Sequence, residues 1–165
     1  MISYLGPPLM LLLALSEAAV LPMFRIGGLQ PNLVLVVLVV WLMVRGPKEA
    51  FAFIGIAGVS LGLVDGAPLG TALLALAPIA LLQEVRGAQL RESGLVLTTM
   101  FLVIMTFVYH LTFFLVFALR GETGDLGVAL LRVIIPTALL NVALLLPVYP
   151  LISLTSHETH RMGYV

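Results

Sequence analysis

The chain has 165 residues with no net charge, of which 61% are hydrophobic and 10% charged, and its mean hydropathy is +1.19, a balance far more apolar than that of water-soluble domains. Eight basic and eight acidic side chains cannot cover a globular surface of this size, so lipid is the expected solvent, and the lack of any basic run argues against nucleic acid as a partner. With no cysteine, disulfides, thiolate nucleophiles and cysteine metal sites are excluded.

A bilayer core of about 30 Å needs roughly 20 apolar helical residues, and only closed backbone hydrogen bonding survives there. The first expected span is 5–24, with Pro7 and Pro8 in its first turn, where a missing N–H matters least, and Glu17 embedded. It lacks a basic leader and further spans follow, so it reads as a retained helix. Pro31 opens the second, 29–44, whose NLVLVVLVVWLMV is continuously apolar up to the charged turn RGPKE at 45–49. The third, 50–64, and the fourth, 70–83, are short and separated by Asp65 and the turn GAPLG at 66–70. Two full crossings and one re-entrant hairpin both suit them. A polar loop at 83–94 leads to the fifth span, 95–119, the hydrophilic turn RGETGDLG at 120–127 and the sixth span, 128–152, which Pro136, Pro147 and Pro150 are expected to kink. The expected fold is thus all-α: one domain, 1–155, a bundle of six transmembrane helices with short loops, then a polar, mobile tail at 156–165.

Basic residues orient the bundle. With the N-terminus inside, Arg45, Lys48, Arg86, Arg91 and Arg161 face the cytoplasm, against Arg25 and Arg120 outside and Arg132 near the outer end of the last helix. Both termini are therefore expected in the cytoplasm, with Asp65 on the outer side.

Ionisable groups at membrane depth are functional suspects because the bilayer penalises them. Glu17, about 18 Å along the first helix from Leu5, needs a partner or a proton, and Arg132 and Arg25 are the candidates. A structural ion pair, a protonated hydrogen-bonded carboxyl and a ligand or partner contact are all open to it. On the third helix, Gly55, Gly58 and Gly62 fall within about 60° of one another, a small-residue stripe that lets a helix of this chain or of another approach closely. Asp65 continues that side, as a rim group or as a helix-ending turn residue. His110 lacks a second ligand at metal spacing and reads as a neutral, packed side chain, while His157 and His160 are too isolated for a metal site. Thr98, Thr99, Thr106 and Thr112, and Asn141 in the sixth helix, are expected to bond across helices or back to their own backbone. No phosphate loop, GxSxG or HExxH occurs, so nothing in the residues points to an enzyme or a cofactor.

Residues 30–82 resemble the core of the bacterial rod-shape-determining MreD family. The elements that carry the likeness are Pro31 and Asn32 before an apolar run, the turn Arg45, Gly46 and Pro47, the helix with Gly58, Gly62 and Asp65, and the turn with Pro68 and Gly70. Asn32 departs from the commoner acid at its place, and Asp65 follows Gly62 one residue sooner than in the family pattern. The resemblance implies a non-enzymatic member of the lateral cell-wall elongation machinery in the cytoplasmic membrane. It implies MreC as principal partner, through its transmembrane helix, and RodA, a class-B penicillin-binding protein and MreB in the wider complex, without a cofactor; a homo-oligomer is compatible with it. The family's fold is similar to the six-helix substrate-binding subunits of energy-coupling-factor vitamin transporters, so a small-ligand pocket opening outward and lined by Glu17, Arg25, Asp65 and Arg132 is the alternative. A shared fold does not by itself carry a ligand across.

Overall fold

A computed structural model describes residues 2–19, 23, 28–45, 47–64, 66–68, 70–81, 94–122 and 124–161. Among these the chain is all-α and forms six helices: α1 (Ile2–Ala19), α2 (Leu33–Arg45), α3 (Pro47–Val64), α4 (Thr71–Leu76, extended by the 3-10 turn Ala77–Leu81), α5 (Leu95–Leu119) and α6 (Leu126–Ala129, a π turn Leu130–Ile134, then Ile135–Arg161).

The centre of the bundle is α2. It packs against α1, α3, α5 and α6, while α4 sits outside it between α3 and α5. A helix that is apolar on every side has no face to offer water and is buried all round. Accordingly all ten residues from Val34 to Met43 are buried. Around them the core takes Met10 and Ala14 from α1, Phe53, Ala57 and Leu61 from α3, Ala72, Ala75 and Leu76 from α4, Leu102 and Tyr109 from α5, and Leu145 from α6.

Helix ends follow local chemistry more closely than apolar run length. Helix α1 is described from Ile2 to Ala19, and the end expected for it at 24 lies outside the described residues. Since α1 begins at Ile2, Pro7 and Pro8 lie in its second turn, not its first. The second helix begins at Leu33 instead of 29, because Gly28 sits in a turn and Asn32 caps the helix. Helix α4 starts one residue past Gly70, whose φ of 90° lies in the left-handed region that favours glycine. Schellman bonds, Gly121 N–H to Ala118 and Glu122 N–H to Phe117, close α5.

The sixth helix departs most from expectation. It runs on to Arg161, nine residues beyond 152, so the tail is largely helical: between Pro150 and Gly163 no proline or glycine stops it. Helix α6 is also continuous through Pro147 and Pro150. Its irregularity falls before Pro136, which lacks an N–H for the Arg132 carbonyl and crowds it; the backbone widens so that Ile135 N–H bonds Leu130.

Two helices, Leu95–Leu119 and Leu126–Leu154, are long and apolar enough to cross a membrane, and only 22% and 28% of their most apolar windows are buried within the bundle.

Candidate functional site

Four buried polar residues, Glu17, Asn32, Thr106 and Asn141, converge on the N-terminus of α2. The first turn of any helix presents N–H groups without intrahelical partners, and in an apolar interior each must be satisfied by a side chain. Asn32 is the cap: its carbonyl accepts from Val36 (3.1 Å) and its Oδ1 from Leu35 N–H (2.8 Å). Glu17, arriving from the end of α1 and only 6% exposed, accepts the Val34 N–H on Oε2 at 2.8 Å. The Asn32 N–H donates to Asn141 Oδ1 (2.7 Å), and Asn141 Nδ2 donates to Thr106 Oγ1 (3.0 Å). Thr106 in turn donates to the Leu102 carbonyl at 2.8 Å. One chain of hydrogen bonds therefore ties α1, α2, α6 and α5 together.

A carboxyl facing a helix N-terminus is favoured by the helix dipole, by up to about 2 kcal/mol in partly buried geometries. Asn at position 32 fits that arrangement, since an acid there would set a second carboxylate beside Glu17 on consecutive N–H groups of one turn. The expected Glu17–Arg132 ion pair is not formed: Arg132 lies on the exposed side of the π turn and makes no ion pair among the described residues. The widening before Pro136 shifts the register of α6 there, and the Glu17 carboxyl is committed to α2. Arg25 and Asp65 lie outside the described residues, so of the four groups expected to line an outward pocket, Glu17 is buried in the clamp and Arg132 is exposed elsewhere.

The glycine stripe is partly consumed inside the bundle. A Cβ on Gly58 would stand 2.7 Å from the Cα of Leu73, so α3 and α4 touch backbone to backbone at this point. A Cβ on Gly62 would make ordinary contact at 3.9 Å to Gly70 N, and among the described residues no atom lies within 4 Å of a Cβ at Gly55. Beside Gly62 an apolar cleft of about 180 Å³ opens between α3 and α4, lined by Val59, Leu63 and Leu73 with the glycines.

The remaining motif residues hold the turns. Arg45 stacks its guanidinium 4.7 Å above the Trp41 ring, which meets Phe53 edge-on at 5.2 Å, so the cation at the end of α2 is held on an aromatic pair. Pro47 begins α3, and Gly46 lies outside the described residues. The Pro68 carbonyl accepts both the N–H (3.0 Å) and the hydroxyl (2.8 Å) of Thr71, fixing the entry to α4. Thr98, Thr99 and Thr112 donate back to the carbonyls four residues before them, at 3.4, 2.8 and 2.8 Å. His110 Nδ1 stands 2.9 Å from the Thr106 carbonyl; a carbonyl only accepts, so Nδ1 carries the proton and Nε2 is the ring's acceptor.

The pairing at the heart of the clamp escapes sequence reasoning. Nothing in composition says that Asn32 and Asn141, 109 positions apart, meet. The available signal is local: an Asn directly before an apolar run is a helix-start residue, and a lone Asn within an apolar helix needs a partner. Comparison with known protein families, with characterised proteins and with solved structures finds no match to this chain.

Proposed function

We propose that this chain is a six-span protein of the bacterial cytoplasmic membrane, both termini inside, that acts without turnover as a scaffold of the cell-wall elongation machinery and holds the transmembrane helix of MreC. The observation that carries the reading is the division of labour between surface and interior. The buried polar groups of the clamp are spent on tying helices together, while α5 and α6 turn long apolar faces outward, as a chain solvated by lipid requires. The likeness of residues 30–82 to the MreD family supplies the biological setting. A bundle stabilised from within and apolar without is a docking body for other membrane helices, whose association depends on packing and interhelical hydrogen bonds.

Co-expression with MreC and purification in detergent tests it: a stable heteromeric complex is the expected result. A purified chain that ignores MreC yet gains thermal stability saturably with one small molecule would replace the scaffold with a ligand-binding subunit.

A further inference from the structure

The proposed reading leaves open which face receives the partner helix, and the glycine stripe is the obvious first choice. Its central residue is already occupied by Leu73. The cleft beside Gly62 is lined almost entirely by apolar surface. Lipid chains fill such a cleft as well as a leucine would, because apolar burial gives helices in a bilayer no net reason to associate. What lipid cannot supply is a hydrogen-bond donor.

One described residue asks for such a donor at mid-membrane. His110 lies about 22 Å from the start of α5 and about 13 Å from its end, within the hydrocarbon layer for a helix that crosses it. Its Nδ1 proton is committed to the Thr106 carbonyl, its Nε2 is left as an acceptor, and no donor to that atom occurs among the described residues. The side chain is only partly buried. Phe114 and Phe117, at i+4 and i+7, continue the same side of the helix toward the α5–α6 turn. There the face runs into an open, shallow depression lined by Phe114, Phe117, Glu122 and Gly124.

Resting on the scaffold reading, we infer that the His110–Phe114–Phe117 face of α5 receives the partner's transmembrane helix, which presents a hydroxyl or indole N–H to His110 Nε2 near mid-bilayer and a side chain to the aromatic depression. Lipid headgroups lie about 15 Å away from that depth and cannot supply the bond. A second copy of the chain that meets this face with its own α5 is a poor occupant. Its own His110 offers another acceptor, and the hydroxyls of Thr99, Thr106 and Thr112 on the same helix already donate to their own carbonyls.

The test uses the full chain co-expressed with MreC. A photo-crosslinking residue is placed at Phe114 or, separately, at Leu63 beside the glycine cleft, and His110→Phe and His110→Gln are compared for the amount of complex recovered. Adducts to MreC from position 114 and not from 63 are expected, with His110→Phe lowering complex affinity about three- to fifteen-fold and His110→Gln, which keeps an acceptor, less affected. Adducts from 63 alone, with His110→Phe binding normally, overturn this face and leave the scaffold intact. Absence of any complex with the unsubstituted chain overturns the scaffold itself. Should His110→Phe fail to fold, the crosslinking pair decides alone, because it retains His110.

Discussion

Replacing Asn141 by leucine tests the clamp most directly. Asn141 is fully buried, at 0% exposure, and holds two bonds that leucine cannot make; leucine shares its branched shape but is larger, so no cavity forms and any overpacking adds to the loss worked out from the bonds. The Asn32 N–H at 2.7 Å would be left buried without an acceptor, which costs about 1–3 kcal/mol. The bond to Thr106 Oγ1 at 3.0 Å is neutral and interhelical, worth about 0.5–1.5 kcal/mol. Together the loss is about 2–4 kcal/mol, or a fall in melting temperature of about 4–16 °C for a chain of this length. Thr106→Val removes the second bond and the hydroxyl's own bond to the Leu102 carbonyl but leaves the Asn32 N–H paired, so it should lose about 1–2 kcal/mol, less than the leucine variant. Thermal unfolding in detergent can be followed through Trp41, the sole tryptophan, which lies in the central helix against Phe53. A leucine variant that melts within about 1 °C of the parent, or one less affected than Thr106→Val, would refute the clamp as an energetic unit.

Glycine variants should rank by clearance: Gly58→Ala should cost about 1–3 kcal/mol, because its methyl meets the backbone of Leu73, whereas Gly62→Ala and Gly55→Ala should be nearly silent in the same melt. Equal losses at all three would mean that α3 and α4 do not approach as described. Glu17→Gln keeps an acceptor for Val34 and should lose about 1 kcal/mol, the helix-terminus charge contribution, while Glu17→Leu orphans that N–H and should lose about 2–4 kcal/mol. Because Arg132 is exposed and apart, a double-mutant cycle of Glu17→Gln with Arg132→Gln should be additive within about 0.5 kcal/mol, and coupling above about 1 kcal/mol would restore the ion pair. Single cysteines introduced into the natively cysteine-free chain should label from the cytoplasm at position 88 and from outside at position 122; the reverse pattern inverts the orientation.

Much of the architecture was legible in residue order because its cause is local. Apolar runs of helical length, prolines and glycines between them and a polar residue before each run specify six helices, and the fifth, 95–119, is found at those residues. The start of α2 is set by its cap, Asn32, and not by the apolar residues that precede it from 29. The sixth helix runs past its apolar stretch for the complementary reason, since SHETHR is polar but holds no residue that breaks a helix.

Which helices meet, and which polar groups find one another, was decided only in three dimensions. The sequence determines that Glu17, Asn32, Thr106 and Asn141 must each be satisfied, since an apolar surrounding offers nothing else to bond. It leaves the partners open, because helices joined by loops can pack in several orders without changing any local rule. Once α2 occupies the centre, the N–H groups of its first turn are buried donors, and Asn32 together with the acceptors of α1 and α6 satisfies them there. The same packing sends Arg132 outward and sets Leu73 over Gly58, so the ion pair gives way to a clamp, and of the helices the glycine stripe could admit, α4 of this chain takes the place at Gly58.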